Sequence, residues 1–192
     1  FMECFHGIVS FGHALSGTID VEGAPVSFDG GRGYIEKDWG KAFPAGYVWL
    51  ASNHIDAEIG ADAEASLIAS VAIFPWLGRA FRVSFVGLRH SGKLHRWTTY
   101  NRSRELELSV TDTAVHWVLE GADGRLELDA KRVRGGLLHA PLRTAMHKRV
   151  EETLDARVRI RHTAPDGRVL LEGWGECAGL EVFGDTTAML KL

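Results

Sequence analysis

Cysteine is scarce: only Cys4 and Cys177 occur in 192 residues, far apart and in no metal-type spacing. That argues against a disulfide framework and for a reducing compartment, and both residues are expected to be small buried hydrophobes. No apolar run approaches the length of a membrane span. Neither sign of charge dominates, since 22 Lys and Arg stand against 25 Asp and Glu for a formal net charge of -3. Nothing in bulk therefore draws the chain to nucleic acid, and no nucleic-acid partner is expected. Repeats, low-complexity tracts and composition shifts are missing too, so residues 1–192 are expected to form one domain. The opening Phe1-Met2-Glu3-Cys4 has neither a basic stretch nor an apolar core, and no secretory leader is read there. The chain then passes straight into the strand-like Gly7-Ile8-Val9-Ser10-Phe11. A cytoplasmic fragment of a longer protein is the expectation.

What is present is a globular balance, 45% hydrophobic and 24% charged, arranged as short β-type runs punctuated by turn residues. Residues 17–21 and 25–28 flank Glu22-Gly23-Ala24, and 65–74 and 81–88 flank Pro75-Trp76-Leu77-Gly78. Residues 94–101 follow Ser91-Gly92-Lys93; 115–119 and 125–133 flank Ala122-Asp123-Gly124; 156–162 and 168–172 flank Pro165-Asp166-Gly167. Glu105 to Val110 alternates polar and apolar residues, the pattern of a half-buried strand. Turn signals that recur about every ten residues predict an all-β barrel or sandwich. One segment, Pro141 to Leu154, lacks this alternation and starts with Pro. It is read as an irregular crossing or a short helix, at most near residues 141–152.

The densest chemistry lies between Gly33 and His54. As a strand, Tyr34 to Trp39 puts Tyr34, Glu36 and Asp38 on one face. A following strand from Tyr47 puts Tyr47, Trp49, Ala51 and Asn53 on one face, opposite Val48, Leu50, Ser52 and His54. Two rings, an amide and a carboxylate pair suit a flat or polyene-like apolar ligand. Carboxylates in an apolar cavity would be held protonated toward neutral pH. The same spacing also fits plain core packing, with Glu36, Lys37 and Asp38 as an exposed, salt-bridged edge.

Other signals are weaker. Gly30-Gly31-Arg32-Gly33 precedes a strand instead of opening a helix, so it reads as a tight turn and not a phosphate cradle. Nine histidines contain no His-x-His or His-Glu-x-x-His spacing. His90 and His95 face each other across Ser91-Gly92-Lys93, but two neutral ligands make a poor site, so no metal is expected. Arg157, Arg159 and Arg161 alternate with Val158 and Ile160 as on a solvated strand face. With Arg143, Lys148 and Arg149 they would also suit a transient contact with an anionic membrane surface, peripheral to it.

The block Gly30-Gly31-Arg32-Gly33-Tyr34-Ile35-Glu36-Lys37-Asp38-Trp39-Gly40-Lys41-Ala42-Phe43-Pro44, then Trp49 and Asn53-His54, resembles the tocopherol cyclase-like family. Gly135-Gly136-Leu137-Leu138-His139-Ala140-Pro141 with Met146, Arg149, Val150 and Glu152, and later Ala178-Gly179-Leu180-Glu181-Val182, agree in order and spacing. The resemblance implies a lipocalin-like antiparallel β-barrel, related in shape to carotenoid hydratase-like proteins. It implies the C-terminal part of longer proteins, with a missing N-terminal barrel or a second chain as partner. The implied reaction closes a chromanol ring on a prenylated quinol-type, hydrophobic small molecule and needs no cofactor or metal. It requires an acid, rings that stabilise a cation and groups that orient a phenol. Asp38, Glu36 and His54 are the catalytic candidates; Trp39, Tyr47, Trp49, Asn53 and His139 are the ligand-binding ones. The alternative is a non-catalytic carrier of a lipid, quinone or isoprenoid, which would keep only apolar walls inside its cavity.

Overall fold

The turns at Glu22-Gly23, Ser91-Gly92, Asp123 and Pro165-Asp166-Gly167 do reverse the chain, whereas Pro75 and Trp76, read as a turn, are strand residues paired with Ala80 and Arg79. The computed structural model describes residues 4–40, 43–60, 62–76, 79–142 and 145–192. Its strands are β1 (Cys4–Ala14), β2 (Thr18–Val21), β3 (Ala24–Ser27), β4 (Arg32–Gly40), β5 (Gly46–Ser52), β6 (His54–Ile59), β7 (Ser66–Trp76) and β8 (Arg79–His90). They continue as β9 (Lys93–Thr98), β10 (Arg104–Val110), β11 (Ala114–Gly121), β12 (Gly124–Lys131), β13 (Gly136–Leu142), β14 (Ala145–Thr163) and β15 (Val169–Gly184), before the helix α1 (Thr186–Leu190). The hairpins at Glu22-Gly23 and Ser91-Gly92 use two successive positive φ values, 53° and 85°, then 50° and 71°, which match the right-handed twist of paired strands. Leu77 and Gly78, in another expected turn, lie outside the described residues.

The large sheet runs β10-β11-β12-β14-β15-β5-β7-β8-β9, with β13 added to β14 and β6 to β15. One face of it holds a continuous apolar core that includes Val48, Leu67, Val86, Trp97, Trp117, Leu128 and Ile160. Both ends of the sheet contribute to this core, so the sheet is rolled around it. Side chains join the two ends: Trp97 Nε1 donates to Gly124 O at 2.8 Å, and Arg82 pairs with Glu105 at 2.6 Å. Among the described residues no ladder connects β9 to β10. A 3-10 turn, Thr99–Asn101, with reciprocal Thr98 and Asn101 capping, separates those strands. The all-β class expected from the sequence is present, as a roll that these ladders leave open. Among the described residues no helix is long and apolar enough to cross a membrane.

Three local expectations are corrected. The described residues between Pro141 and Leu154 are not helical: β13 and β14 pair from Gly136↔Glu152 to Leu142↔Ala145. The segment's Leu, Met, Lys and Glu favour helix only weakly, and ladder bonds on a ready strand edge outweigh that preference. The short helix lies instead at Thr186–Leu190, where Asp185 caps Ala188 N at 2.8 Å and Met189 is fully buried. In β10 a register shift between Glu105 and Glu107 breaks the alternation. Leu106 is left exposed, while Glu105 turns in to Arg82 and accepts from Trp117 Nε1 at 3.0 Å. Cys177 is exposed at φ 47°, where β15 passes from pairing with β6 to pairing with β5; a bulge points its thiol outward. The Cys4 side chain is outside the described set.

Arg157, Arg159 and Arg161 do stand on a solvated face, with Val158 and Ile160 fully buried beneath. All three are ion-paired, to Glu176 or Glu172. Arg143 lies outside the described residues.

Candidate functional site

The strand β5 is apolar on both faces because both are covered. Val48 and Leu50 enter the core of the roll, while Tyr47 and Trp49 face outward. Above that outer face lies the two-stranded arm β1–β4, in register from Cys4↔Gly40 to Ala14↔Arg32. Between arm and sheet is a cavity of about 720 Å³. Its floor is Tyr47, Trp49, Ser70, Ala72, Phe74, Phe81, Val83 and Phe85; its walls are Phe5, His6, Glu36, Asp38 and Trp39 from the arm. Leu138, His139, Val150, Glu152 and Glu181 close the far side. A ligand would thus sit on the outside of the roll, whose interior is filled.

Alternation along β4 directs Tyr34, Glu36 and Asp38 to one side, as read from the sequence. The Glu36 side chain is only 11% exposed. It accepts hydrogen bonds from Tyr34 OH and, at 3.0 Å, from Trp49 Nε1. His6 Nδ1 lies 3.2 Å from Glu36 and 2.7 Å from Asp38. Burial pushes the Glu36 carboxyl up to about 7, against the opposing pull of Tyr34 and His6. Burial acts the same way on Asp38, but the hydrogen bonds from His6 and Glu36 outweigh it and hold Asp38 below the usual carboxylate range. Burial would lower His6; the hydrogen bond to Asp38 and the charge on Glu36 prevail and raise it. Two adjacent carboxylates are therefore driven apart, one toward the neutral acid and one toward the anion.

Gly179 makes room for this arrangement. A Cβ there would stand 2.6 Å from the Trp49 ring, so only glycine lets the indole lie flat enough to reach Glu36.

Six of the residues chosen from the sequence line the cavity: Glu36, Asp38, Trp39, Tyr47, Trp49 and His139. Trp39 is half exposed at the rim, stacked on Phe5 at 5.5 Å with Lys37 Nζ 5.2 Å over its ring. His139 Nδ1 is 3.1 Å from Met146 O; because a carbonyl only accepts, Nδ1 carries the proton and Nε2 keeps its lone pair. Asn53 and His54 are not brought in. Strand β5 ends at Ser52, Asn53 bends, and His54 starts β6, exposed and opposite Glu176. The face parity of β5 does not continue through that bend.

Sequence reasoning did not assign roles to His6, Glu152 or Glu181. Glu181 accepts from Tyr47 OH at 2.7 Å and is the register partner of Glu152. Burial raises both carboxyls, and in Glu181 the nearby Glu152 and Asp38 charges add to the rise. The available signal was a lone carboxylate within the apolar run Gly179 to Phe183. His6, Glu36 and Asp38 each offer a ligand atom within 4.8 Å of the others, but their short contacts are satisfied by sharing protons.

A family model described as tocopherol cyclase-like matches residues 6–184. The chain is 25% identical over 195 residues to "Probable tocopherol cyclase, chloroplastic" of Oryza sativa subsp. japonica, covering 96% of this chain and 40% of that protein. It is 23% identical over 180 residues to "Tocopherol cyclase, chloroplastic" of Zea mays, covering 88% of this chain and 37% of that protein. The chain thus spans about two fifths of the length of these curated relatives. No solved structure matches it significantly.

Proposed function

Because this chain belongs to the tocopherol cyclase-like family, we propose that its cavity takes a hydrophobic, prenylated quinol-type molecule and promotes ring closure with Glu36 as the acid. The observation that carries this reading is a nearly buried carboxyl, pushed up to about 7, in an aromatic cavity. At neutral pH a large share of Glu36 is the protonated acid, its O–H donated to Asp38 at the wall of an aromatic cavity.

The Glu36 proton would pass to one carbon of a trisubstituted alkene and leave a tertiary cation on the other. The phenol oxygen closes a C–O bond onto that cation, and the phenolic proton returns to a carboxylate. One proton enters and one leaves, so the step is an isomerisation with no electrons gained or lost. Tyr34 OH and Trp49 Nε1 already donate to Glu36 and stabilise the carboxylate that forms as the proton departs. The faces of Trp49, Tyr47, Phe81 and Phe85 supply the negative quadrupoles that a cation needs. The Asp38–His6 pair is a nearby proton acceptor, and His139 Nε2 can accept from a phenol hydroxyl at the cavity wall. Exposed Leu137, Met146 and Leu154 on β13 and β14 support delivery of the substrate from a membrane surface.

The test is incubation of the purified chain with a prenylated hydroquinone in D2O. The expected product is a chromanol carrying one non-exchangeable deuterium on the carbon that accepted the proton. Product without that deuterium would overturn the acid mechanism. Binding without product would make the chain a carrier.

A further inference from the structure

At the far end of the roll, three imidazoles meet in the core. His90 closes β8, His95 belongs to β9 and His162 to β14, and all three are at least nine-tenths buried. His90 and His95 stack with centroids 4.6 Å apart, and His162 stands edge-on to both, at 5.1 Å and 4.5 Å. One ring nitrogen of each lies within 4.8 Å of the other two. None of the three lines the cavity described above. The pair visible in the sequence gains a third ligand here, supplied by a strand distant in sequence.

The outer nitrogens of His90 and His162 have hydrogen-bond partners, as those of metal-bound histidines do. His162 Nε2 is 2.8 Å from the backbone oxygen of Asp123, so Nε2 carries the proton and Nδ1 presents its lone pair inward. His90 Nε2 is 2.8 Å from that Nδ1, and His90 Nδ1 is 3.3 Å from Ser91 Oγ. Moving the His90 proton from Nε2 to Nδ1 keeps a partner for it and frees a second inward lone pair. His95 Nδ1 is buried without a hydrogen-bond partner, 3.4 Å from Asp123 Oδ1. Asp123 is itself fixed by Lys93 Nζ at 2.9 Å and Arg96 N at 3.0 Å.

We infer that His90, His95 and His162 form a binding site for a divalent transition-metal ion of the zinc class. Three neutral nitrogen donors select such an ion over magnesium or calcium, which prefer oxygen. All three imidazoles are buried and each turns a ring nitrogen toward the other two, and ligation takes them in the neutral form. The role is structural. The ion would tie the β8–β9 edge to β14 across the roll, where no ladder among the described residues joins the two ends of the sheet.

The experiment uses the purified chain stripped with a chelator and titrated with Zn2+ by calorimetry and with Co2+ by visible absorption. One equivalent should bind, with the d–d bands of four- or five-coordinate Co2+, and the thermal midpoint should rise with free metal. His90→Gln and His95→Gln should each weaken binding at least about 100-fold, while His6→Gln leaves it unchanged. Full affinity in both cluster variants, or loss in His6→Gln, would overturn the assignment. Histidine 15N NMR of the unmutated chain needs no variant to fold. Coordination shifts on three rings with Zn2+ would support the site, and unshifted resonances would refute it.

Discussion

Glu36→Gln should make the protein more stable at alkaline pH while abolishing its proposed acid. The Glu36 carboxyl has an ordinary value of 4.5 and a folded value of about 7, so between these the folded chain binds more protons than the unfolded one. Wild-type stability therefore falls as pH rises through that window and stays lower above it. The full difference corresponds to roughly 3 kcal/mol, of which roughly 2 kcal/mol develops between about pH 5.5 and about pH 8.5. Glutamine keeps the shape and an oxygen that accepts from Tyr34 and Trp49, but it has no charge to bury. Urea unfolding of both proteins, followed by tryptophan fluorescence at the two pH values, measures the effect. The gap in favour of the variant should widen by roughly 2 kcal/mol from the acidic to the alkaline sample. A gap that stays constant or narrows would refute a raised Glu36.

Gly179→Ala places a methyl 2.6 Å from the Trp49 ring and should push the indole off Glu36; changed near-UV circular dichroism and lower turnover with little loss of stability would register it. Ile160→Ala empties a fully buried core site and should cost about 2 to 5 kcal/mol in urea unfolding. Cys177, exposed at a bulge, should react with a thiol reagent in the native protein at a rate close to that of the unfolded chain. Protection of that thiol would contradict the bulge.

How much of this was legible depended on how local each signal is. Gly23, Gly92 and Gly124, each at positive φ, are the residue type that tight hairpin turns demand, so the strand pairs beside them could be read directly. The parity of β4 was equally local and grouped Tyr34, Glu36 and Asp38 correctly. Parity failed at Asn53 and His54 because strand β5 had already ended, which no side-chain pattern marks. The segment from Pro141 to Leu154 was misread because its strand character comes from pairing partners at Gly136–Leu142 and in β15, not from its own residues. His6, Glu152 and Glu181 join the cavity, and His162 joins His90 and His95, only through contacts between residues far apart in sequence. The side of the sheet that holds the cavity was also beyond the pattern. An apolar β5 says that both faces are covered, but not which cover is the core and which is the arm.

Turnover of a prenylated hydroquinone by Glu36→Gln, beside Asp38→Asn and the unmutated chain, bears most directly on the role given to Glu36. Ligand binding should be followed in parallel by quenching of tryptophan fluorescence. The expected result is binding retained and chromanol formation reduced at least about 100-fold in Glu36→Gln, in line with loss of a general acid. In the unmutated chain, turnover should decline as pH rises past about 7, where Glu36 loses its proton. Turnover in Glu36→Gln equal to that of the unmutated chain would contradict it.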